Sequence, residues 1–183
     1  MVVGVSGASG IPYAEDLLRA LGSAGVEVHL VITAGGRRLI AAEGGLGPDQ
    51  LEALAHRSYP PDDLAAPIAS GSFPTRGMAV VPASQGTLAK IAYGLTDNLL
   101  TRAALVHLKE RRPLVVVPRE TPLALPTLRA LVALAEAGAV VLPAAPGFYH
   151  RPRTVDDLVR FVTQRILDHL GVPLAWAPRW QGG

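Results

Sequence analysis

Apolar residues recur along the chain in short runs at positions 2–5, 26–32, 78–81, 114–117 and 139–142, rich in valine, leucine and isoleucine. Strands wetted on one face alternate polar and apolar residues; runs with little alternation suit parallel strands covered on both faces. Between these runs the spacing changes to that of amphipathic helices, predicted over residues 12–24, 37–43, 49–56, 88–93, 97–112, 121–137 and 154–170. A further short strand is expected at 57–59, inside a Gly-, Pro- and Asp-rich excursion spanning 44–72. The strand–helix alternation predicts an α/β protein with a mostly parallel central sheet and helices on both faces. At 183 residues the chain is most economically one domain, its tail from about 171 to 183 docking on the fold or on a neighbouring subunit.

Chemistry-bearing residues gather where the predicted strands end. Pro113-Leu114-Val115-Val116-Val117-Pro118-Arg119-Glu120-Thr121-Pro122 reads as a buried strand that stops at a proline and delivers Arg119 and Glu120. Ligands of open α/β sheets bind beyond the carboxyl ends of strands, so this pair is a site candidate, with a surface ion pair as the alternative. Glu120 is the carboxylate best placed for general acid–base work. After the first strand comes Ser6-Gly7-Ala8-Ser9-Gly10, then Pro12 in the first turn of a helix. Backbone N–H groups of such a turn, together with a helix N-terminus, suit a phosphate; the same small residues also serve close helix–strand packing. Ser6 and Ser9 add hydroxyls. Thr33-Ala34-Gly35-Gly36 and Pro82-Ala83-Ser84-Gln85-Gly86-Thr87 repeat the arrangement, with Ser84 expected as a helix N-cap and Thr33 and Thr87 facing a shared polar ligand.

Composition narrows the chemistry. There are no cysteines, which excludes disulfides, thiolate metal sites and thiol nucleophiles and fits a reducing, cytoplasmic setting. His29, His56, His107, His150 and His169 stand apart without ligand-type spacing, so no metal is expected. The basic residues Arg102, Lys109, Arg119, Arg151 and Arg165 point to anionic ligands, whereas Arg111 and Arg112 read as complements of a helix C-terminus. A formal charge of +2, with arginines scattered and not interleaved with aromatics, gives no indication of nucleic-acid binding. No apolar run reaches the roughly 20 residues of a membrane span, and Met1 leads directly into the first strand without a basic leader. Hydrophobic residues make up 49% and charged residues 17%, so part of the apolar surface is expected between subunits of a homo-oligomer. The aromatic residues Tyr149, in the loop over 143–152, and Trp180, in the tail, are the remaining candidates for the site.

In this order, the segments Gly4-Val5-Ser6-Gly7-Ala8-Ser9-Gly10, Ser70-Gly71-Ser72-Phe73, Asp97-Asn98-Leu99-Leu100-Thr101-Arg102-Ala103-Ala104, Leu108-Lys109-Glu110-Arg111-Arg112-Pro113-Leu114, Arg119-Glu120-Thr121-Pro122-Leu123 and Phe148-Tyr149-His150-Arg151-Pro152 closely resemble the flavin prenyltransferases of the UbiX family. The likeness covers essentially the whole chain; one departure is Ala83, where many relatives carry cysteine. The resemblance implies a three-layer α/β/α Rossmann-like flavoprotein fold assembled as a dodecamer. It also implies metal-independent transfer of a dimethylallyl group from dimethylallyl phosphate to reduced FMN, at flavin N5 and C6, giving prenylated FMN for a partner decarboxylase in ubiquinone biosynthesis and related pathways. Carried over by position, it assigns Gly7, Ala8, Ser9, Thr33, Ser84, Gln85, Gly86, Thr87, Arg102 and Arg119 to FMN. Tyr149 and Arg165 are assigned to dimethylallyl phosphate with Lys109 on its phosphate side, Glu120 to proton transfer, and Trp180 to closing the site. Competing readings are an FMN-dependent decarboxylase of related fold and a noncatalytic flavin carrier.

Overall fold

A computed structural model describes residues 1–180; the last three residues of the expected tail, 181–183, lie outside the described residues. In chain order the elements are β1 (Val2–Val5), α1 (Ile11–Ser23), β2 (His29–Ile32), α2 (Ala34–Glu43), α3 (Pro48–Glu52), β3 (Arg57–Tyr59), β4 (Met78–Ala83), α4 (Gln85–Ala92), α5 (Leu99–Lys109), β5 (Leu114–Pro118), α6 (Leu125–Glu136), β6 (Val140–Val141) and α7 (Val155–His169), with one 3-10 turn at Pro67–Ala69. The six strands form one sheet in the order β3-β2-β1-β4-β5-β6, and every neighbouring pair is parallel.

Two apolar layers flank the sheet, and the strands feed both because successive side chains point to opposite faces. Val3, Val5, Val115 and Val117 join Leu17, Leu18 and Leu21 of α1 and Val162, Ile166 and Leu167 of α7 on one side. Val2, Leu114 and Val116 join Leu88 and Ile91 of α4 and Leu99, Leu100, Ala103 and Ala104 of α5 on the other. This is the three-layer α/β/α arrangement, and it explains why the strand runs lack polar alternation. Each fully buried Val, Leu or Ile contributes about 1.5–3 kcal/mol of transfer free energy, so the packed faces outweigh local propensity.

Several boundaries differ from the pattern. Helix α2 starts at Ala34, not at 37, because Thr33 caps it by accepting from the Gly36 N–H at 3.1 Å. Helix α5 starts at Leu99 behind an Asn98 cap, and α6 starts at Leu125, not at 121. Ala124 is extended and Pro126 occupies the first turn, so residues 121–124 continue as a loop from the end of β5. The helix expected at 49–56 shortens to Pro48–Glu52. The chain runs outward from β1 through β2 to β3 and returns on the other side at β4. Strand order therefore reverses between β1 and β4, and the crevice beyond their carboxyl ends is where open α/β sheets bind ligands.

Candidate active site

The β1 and β4 ends are tied together by a serine. Ser6 is fully buried; its hydroxyl donates to the Pro82 carbonyl at 2.9 Å and accepts from the Ser84 N–H at 2.8 Å. Its role is therefore to hold two strand ends together, not to offer a hydroxyl to a ligand. Beside it the glycines allow backbones to touch: a Cβ on Gly7 would lie 3.0 Å from the Gly35 Cα, and one on Gly36 would lie 2.8 Å from the Val5 carbonyl oxygen. The first turn of α2 is thereby packed onto the end of β1.

Three of the hydroxyls expected at a ligand are partly committed to the protein. Thr33 caps α2 and also donates to the Val5 carbonyl at 3.3 Å. Ser84 caps α4, accepting from the Thr87 N–H at 3.3 Å and donating to Thr87 Oγ1 at 3.0 Å. Thr87 accepts that bond and keeps its own proton free for another acceptor. Ser9 makes no side-chain hydrogen bond among the described residues, and the N–H groups of Gly7 and Ser9 donate to no protein acceptor there. With the unpaired first-turn N–H groups of α2 and α4, the crevice is a ring of uncharged donors suited to a phosphate ester.

Sequence reading missed Glu43. From the last turn of α2 its carboxylate accepts from Gly10 N–H at 3.0 and 3.1 Å and from Ile11 N–H at 2.9 Å, capping α1, whose own N-cap has no side-chain bond. Gly10 adopts φ 114°, a left-handed conformation that favours glycine. A second carboxylate thus stands beside the glycine-rich turn, 33 residues away in sequence with no local pattern to announce it.

At the end of β5, Arg119 and Glu120 do not pair with each other. Arg119 Nε donates to the Ser9 carbonyl at 2.9 Å, stapling the β5 end to the glycine-rich turn. The Glu120 side chain accepts from the Thr121 N–H at 3.0 Å. The Gln85 amide nearby, reinforced by the Thr121 N–H, holds the carboxyl below the ordinary carboxylate range. Glu120 is exposed and ionised, ready to take up a proton.

The remaining candidates lie elsewhere on the chain. Arg102 donates to the Ala69 carbonyl at 3.1 Å, and Lys109 pairs with Glu110, both at the segment running from Ala69 through Phe73. Arg112, read from sequence as a helix-end complement, instead fixes that segment by donating to the carbonyls of Gly71 and Phe73 at 2.5 and 2.8 Å. Tyr149, Arg165 and Trp180 line a cavity of about 280 Å³ with Phe161, Gln164, Asp168 and Arg179. The Tyr149 and Trp180 rings meet edge-on with centroids 5.2 Å apart. Trp176 anchors the tail, donating from its indole to Asp16 at 2.9 Å, while Gln164 accepts from the Trp176 and Ala177 N–H groups. Among the described residues no hydrogen bond, ion pair or aromatic contact joins this group to Glu120 or Lys109. By their hydrogen bonds, ion pairs and aromatic contacts the expected site residues fall into three groups among the described residues.

Nor do all the histidines stand apart. His29 bonds Tyr59 at 2.9 Å and reaches Glu27 at 3.2 Å, with His56 3.7 Å from the same carboxylate. Among the described residues no cluster of three His, Asp or Glu side chains is placed to hold a metal ion.

Residues 1–167 match the Flavoprotein family model. The flavin prenyltransferase UbiX of Deinococcus radiodurans is 53% identical over 181 residues, covering 99% of this chain and 93% of its own. The chain belongs to the UbiX flavin prenyltransferase family. Solved structures extend the likeness to three dimensions. A dodecameric FMN-dependent UbiX-like decarboxylase from Escherichia coli superposes with a TM-score of 0.95 at 46% identity, covering 99% of this chain and 98% of its own. AnUbiX in complex with FMN and dimethylallyl pyrophosphate gives 0.97 at 41% identity, covering 100% and 97%. The parallel sheet and its switch point are thus the UbiX flavoprotein fold.

Proposed function

We propose that this chain acts as a flavin prenyltransferase, moving the dimethylallyl group of dimethylallyl phosphate onto N5 and C6 of reduced FMN with release of phosphate. The observation that carries this reading is the crevice between β1 and β4, in a chain 53% identical to a flavin prenyltransferase. That crevice holds the free donors of Gly7, Ser9 and Thr87; Glu43 caps α1 beside the glycine-rich turn, and Arg119, next to Glu120 in the chain, ties the β5 end to the same turn. The donor ring fits FMN: uncharged donors for its phosphate and ribityl hydroxyls, with no metal required. Gly7, Ala8, Ser9, Thr33, Ser84, Gln85, Gly86, Thr87, Arg102 and Arg119 are the residues assigned to it.

Reduced FMN, when bound, supplies the nucleophilic N5 and C6 positions. Lys109 and Arg165 offer positive charge to the departing phosphate, and Tyr149 a phenol. Trp180 and Tyr149 present ring faces to the allylic carbon as it becomes cationic, worth about 1–2 kcal/mol per well-placed ring. Glu120, ionised beside Gln85 and the Thr121 N–H, would relay the proton lost from C6 to the prenyl double bond that closes onto it. The Tyr149–Trp180 cavity also keeps water from the cation.

The complete site is shared between subunits of a homo-oligomer, a dodecamer like that of the Escherichia coli relative. Exposed apolar side chains support this: Tyr93 and Leu95 just past the end of α4, and Leu125, Leu128 and Val132 on α6, the last 57% exposed, mark surfaces to be covered. The whole chain works as one flavoprotein unit, its tail closing the site. No helix among the described residues is long and apolar enough to cross a membrane; a cytoplasmic setting and hand-over of prenylated FMN to a partner decarboxylase complete the reading.

The test is phosphate release. Incubated anaerobically with dimethylallyl phosphate, the protein should release inorganic phosphate only when reduced FMN is present. Release that ignores the flavin, or none with both substrates, contradicts the assignment. A decarboxylase would instead liberate carbon dioxide from a carboxylate substrate and leave phosphate bound to its ester.

A further inference from the structure

Asp168, in the last turn of α7, is the meeting point of three donors. Its Oδ1 accepts from Gln164 Nε2 at 3.0 Å and from Arg179 Nη2 at 2.6 Å, and its Oδ2 accepts from Arg165 Nη1 at 3.0 Å. The Asp168 side chain is only 17% exposed. Gln164, one turn earlier, is buried and held on both sides of its amide: Oε1 accepts from the Trp176 and Ala177 N–H groups, and Nε2 also donates to the Leu174 carbonyl at 3.0 Å. The docked tail thus sets the amide, the amide helps to set the carboxylate, and the carboxylate holds two guanidiniums. An isolated surface ion pair contributes little, but a carboxylate shared by three donors on a fixed frame orients what it touches.

Arg165, Asp168 and Arg179 line the cavity of about 280 Å³ together with Tyr149, Phe161 and Trp180. Two guanidiniums against one carboxylate leave an excess of positive charge beside aromatic rings, which suits an anion with an apolar tail. Arg165 makes no other hydrogen bond among the described residues, so Asp168 occupies its Nη1 and leaves the Nε–Nη2 edge, a fork that matches two phosphate oxygens. We propose that Asp168 is a positioning residue for the transfer: by holding Nη1 of Arg165 it keeps that fork available to the allylic phosphate, and through Arg179 it keeps a second guanidinium at the same cavity. The inference rests on the reading of Arg165 as a phosphate contact and adds the residue that orients it. An unrestrained arginine loses rotamer freedom each time phosphate binds, and the ion pair removes that freedom beforehand. Asp168 also carries the same sign of charge as the phosphate, so charge alone predicts tighter binding without it, and orientation predicts weaker binding.

The experiment uses the full-length protein with oxidised FMN, which lacks the nucleophile of the reduced flavin, so that dimethylallyl phosphate binds without being consumed. Calorimetric titration with the ester compares wild type, Asp168→Asn, Arg165→Lys and the double variant. Asparagine keeps the shape and an acceptor oxygen but loses the charge that holds both arginines. Ester affinity should fall by about threefold or more in D168N, with FMN affinity and melting temperature as in wild type. In the R165K background, whose ammonium has no fork to orient, the same substitution should cost less. With reduced FMN present, the KM for the ester should rise in D168N while the KM for FMN holds. Unchanged or tighter ester binding in folded D168N, or an unchanged ester KM, overturns the proposal. So does a loss of equal size in the R165K background, which would mean that Asp168 does not act through Arg165. Should D168N fail to fold, Asp168→Ser removes the carboxylate and keeps an acceptor for Gln164; wild-type ester affinity there is equally fatal. Positioning and transfer fail separately. Ester binding that follows Asp168 without a gain in flavin mass ends the transferase reading and leaves the positioning role, and a mass gain with ester binding indifferent to Asp168 does the reverse.

Discussion

Replacing Ser6 by alanine separates a structural tie from a ligand contact at the same glycine-rich turn. The hydroxyl is fully buried and makes two bonds, to the Pro82 carbonyl at 2.9 Å and from the Ser84 N–H at 2.8 Å. In the variant, Pro82 still accepts from the Ser6 N–H at 3.2 Å, but the Ser84 N–H is left without an acceptor. A lost hydrogen bond costs about 0.5–1.5 kcal/mol and a buried unsatisfied donor about 1–3 kcal/mol, so the sum is about 1.5–4.5 kcal/mol. For a chain of this length each kcal/mol lowers the melting temperature by about 2–4 °C, giving a drop of roughly 3–18 °C. Ser9→Ala removes a hydroxyl with no protein partner and should stay within about 0.5 kcal/mol of wild type. Both are measured by thermal denaturation at one protein concentration, since assembly itself shifts the midpoint. Flavin titration should show weaker FMN binding in both variants, accompanied by loss of stability only in Ser6→Ala. A Ser6→Ala protein melting within a degree of wild type would mean that the serine does not tie β1 to β4.

Further outcomes follow from the same geometry. Glu120→Gln should slow prenyl transfer by roughly 10²-fold or more while FMN affinity and melting temperature hold, because shape is kept and titration is lost; wild-type turnover in a chemistry-limited assay would move the proton acceptor elsewhere. Glu43→Ala removes the carboxylate that caps α1 and should cost about 1 kcal/mol, read as a fall in melting temperature of about 2–4 °C; an unchanged midpoint would show the cap to be idle. Burial pushes both His107 and His29 below the ordinary histidine value of about 6.5. The unfolded chain then binds protons that the folded chain refuses, so stability should be complete above about pH 6.5 and fall on acidification below it. Urea midpoints at pH 7.5 and 5.5 check this, and His107→Gln should flatten the dependence; a steeper loss in that variant would reverse the sign of the argument.

Much of the fold was legible because strands buried on both faces need nothing more than apolar runs, and Ser84 and Thr154 mark helix starts chemically. The start of α6 was misplaced because Pro122 and Pro126 are equally good openers, and only packing selects the later one. The structural roles of Thr33 and Ser6 were not legible for a related reason: a hydroxyl at a strand end looks the same whether it caps a helix, bridges two strands or awaits a ligand. Glu43 was invisible because its partner Gly10 lies 33 residues away, a relation that periodicity does not encode. Tyr149, Arg165 and Trp180 were legible as residue types, but their meeting in one cavity depends on how the tail docks on α7, which no one-dimensional pattern contains.

The most direct test of the central claim is the mass of the flavin itself. The protein is incubated without oxygen with reduced FMN and dimethylallyl phosphate, the flavin is extracted, and its mass is recorded. A gain of one C5H8 unit per flavin, dependent on the protein and on the allylic phosphate, is the result this account predicts. Recovery of FMN at unchanged mass from a folded, flavin-binding protein would contradict it and leave a carrier or a decarboxylase in its place.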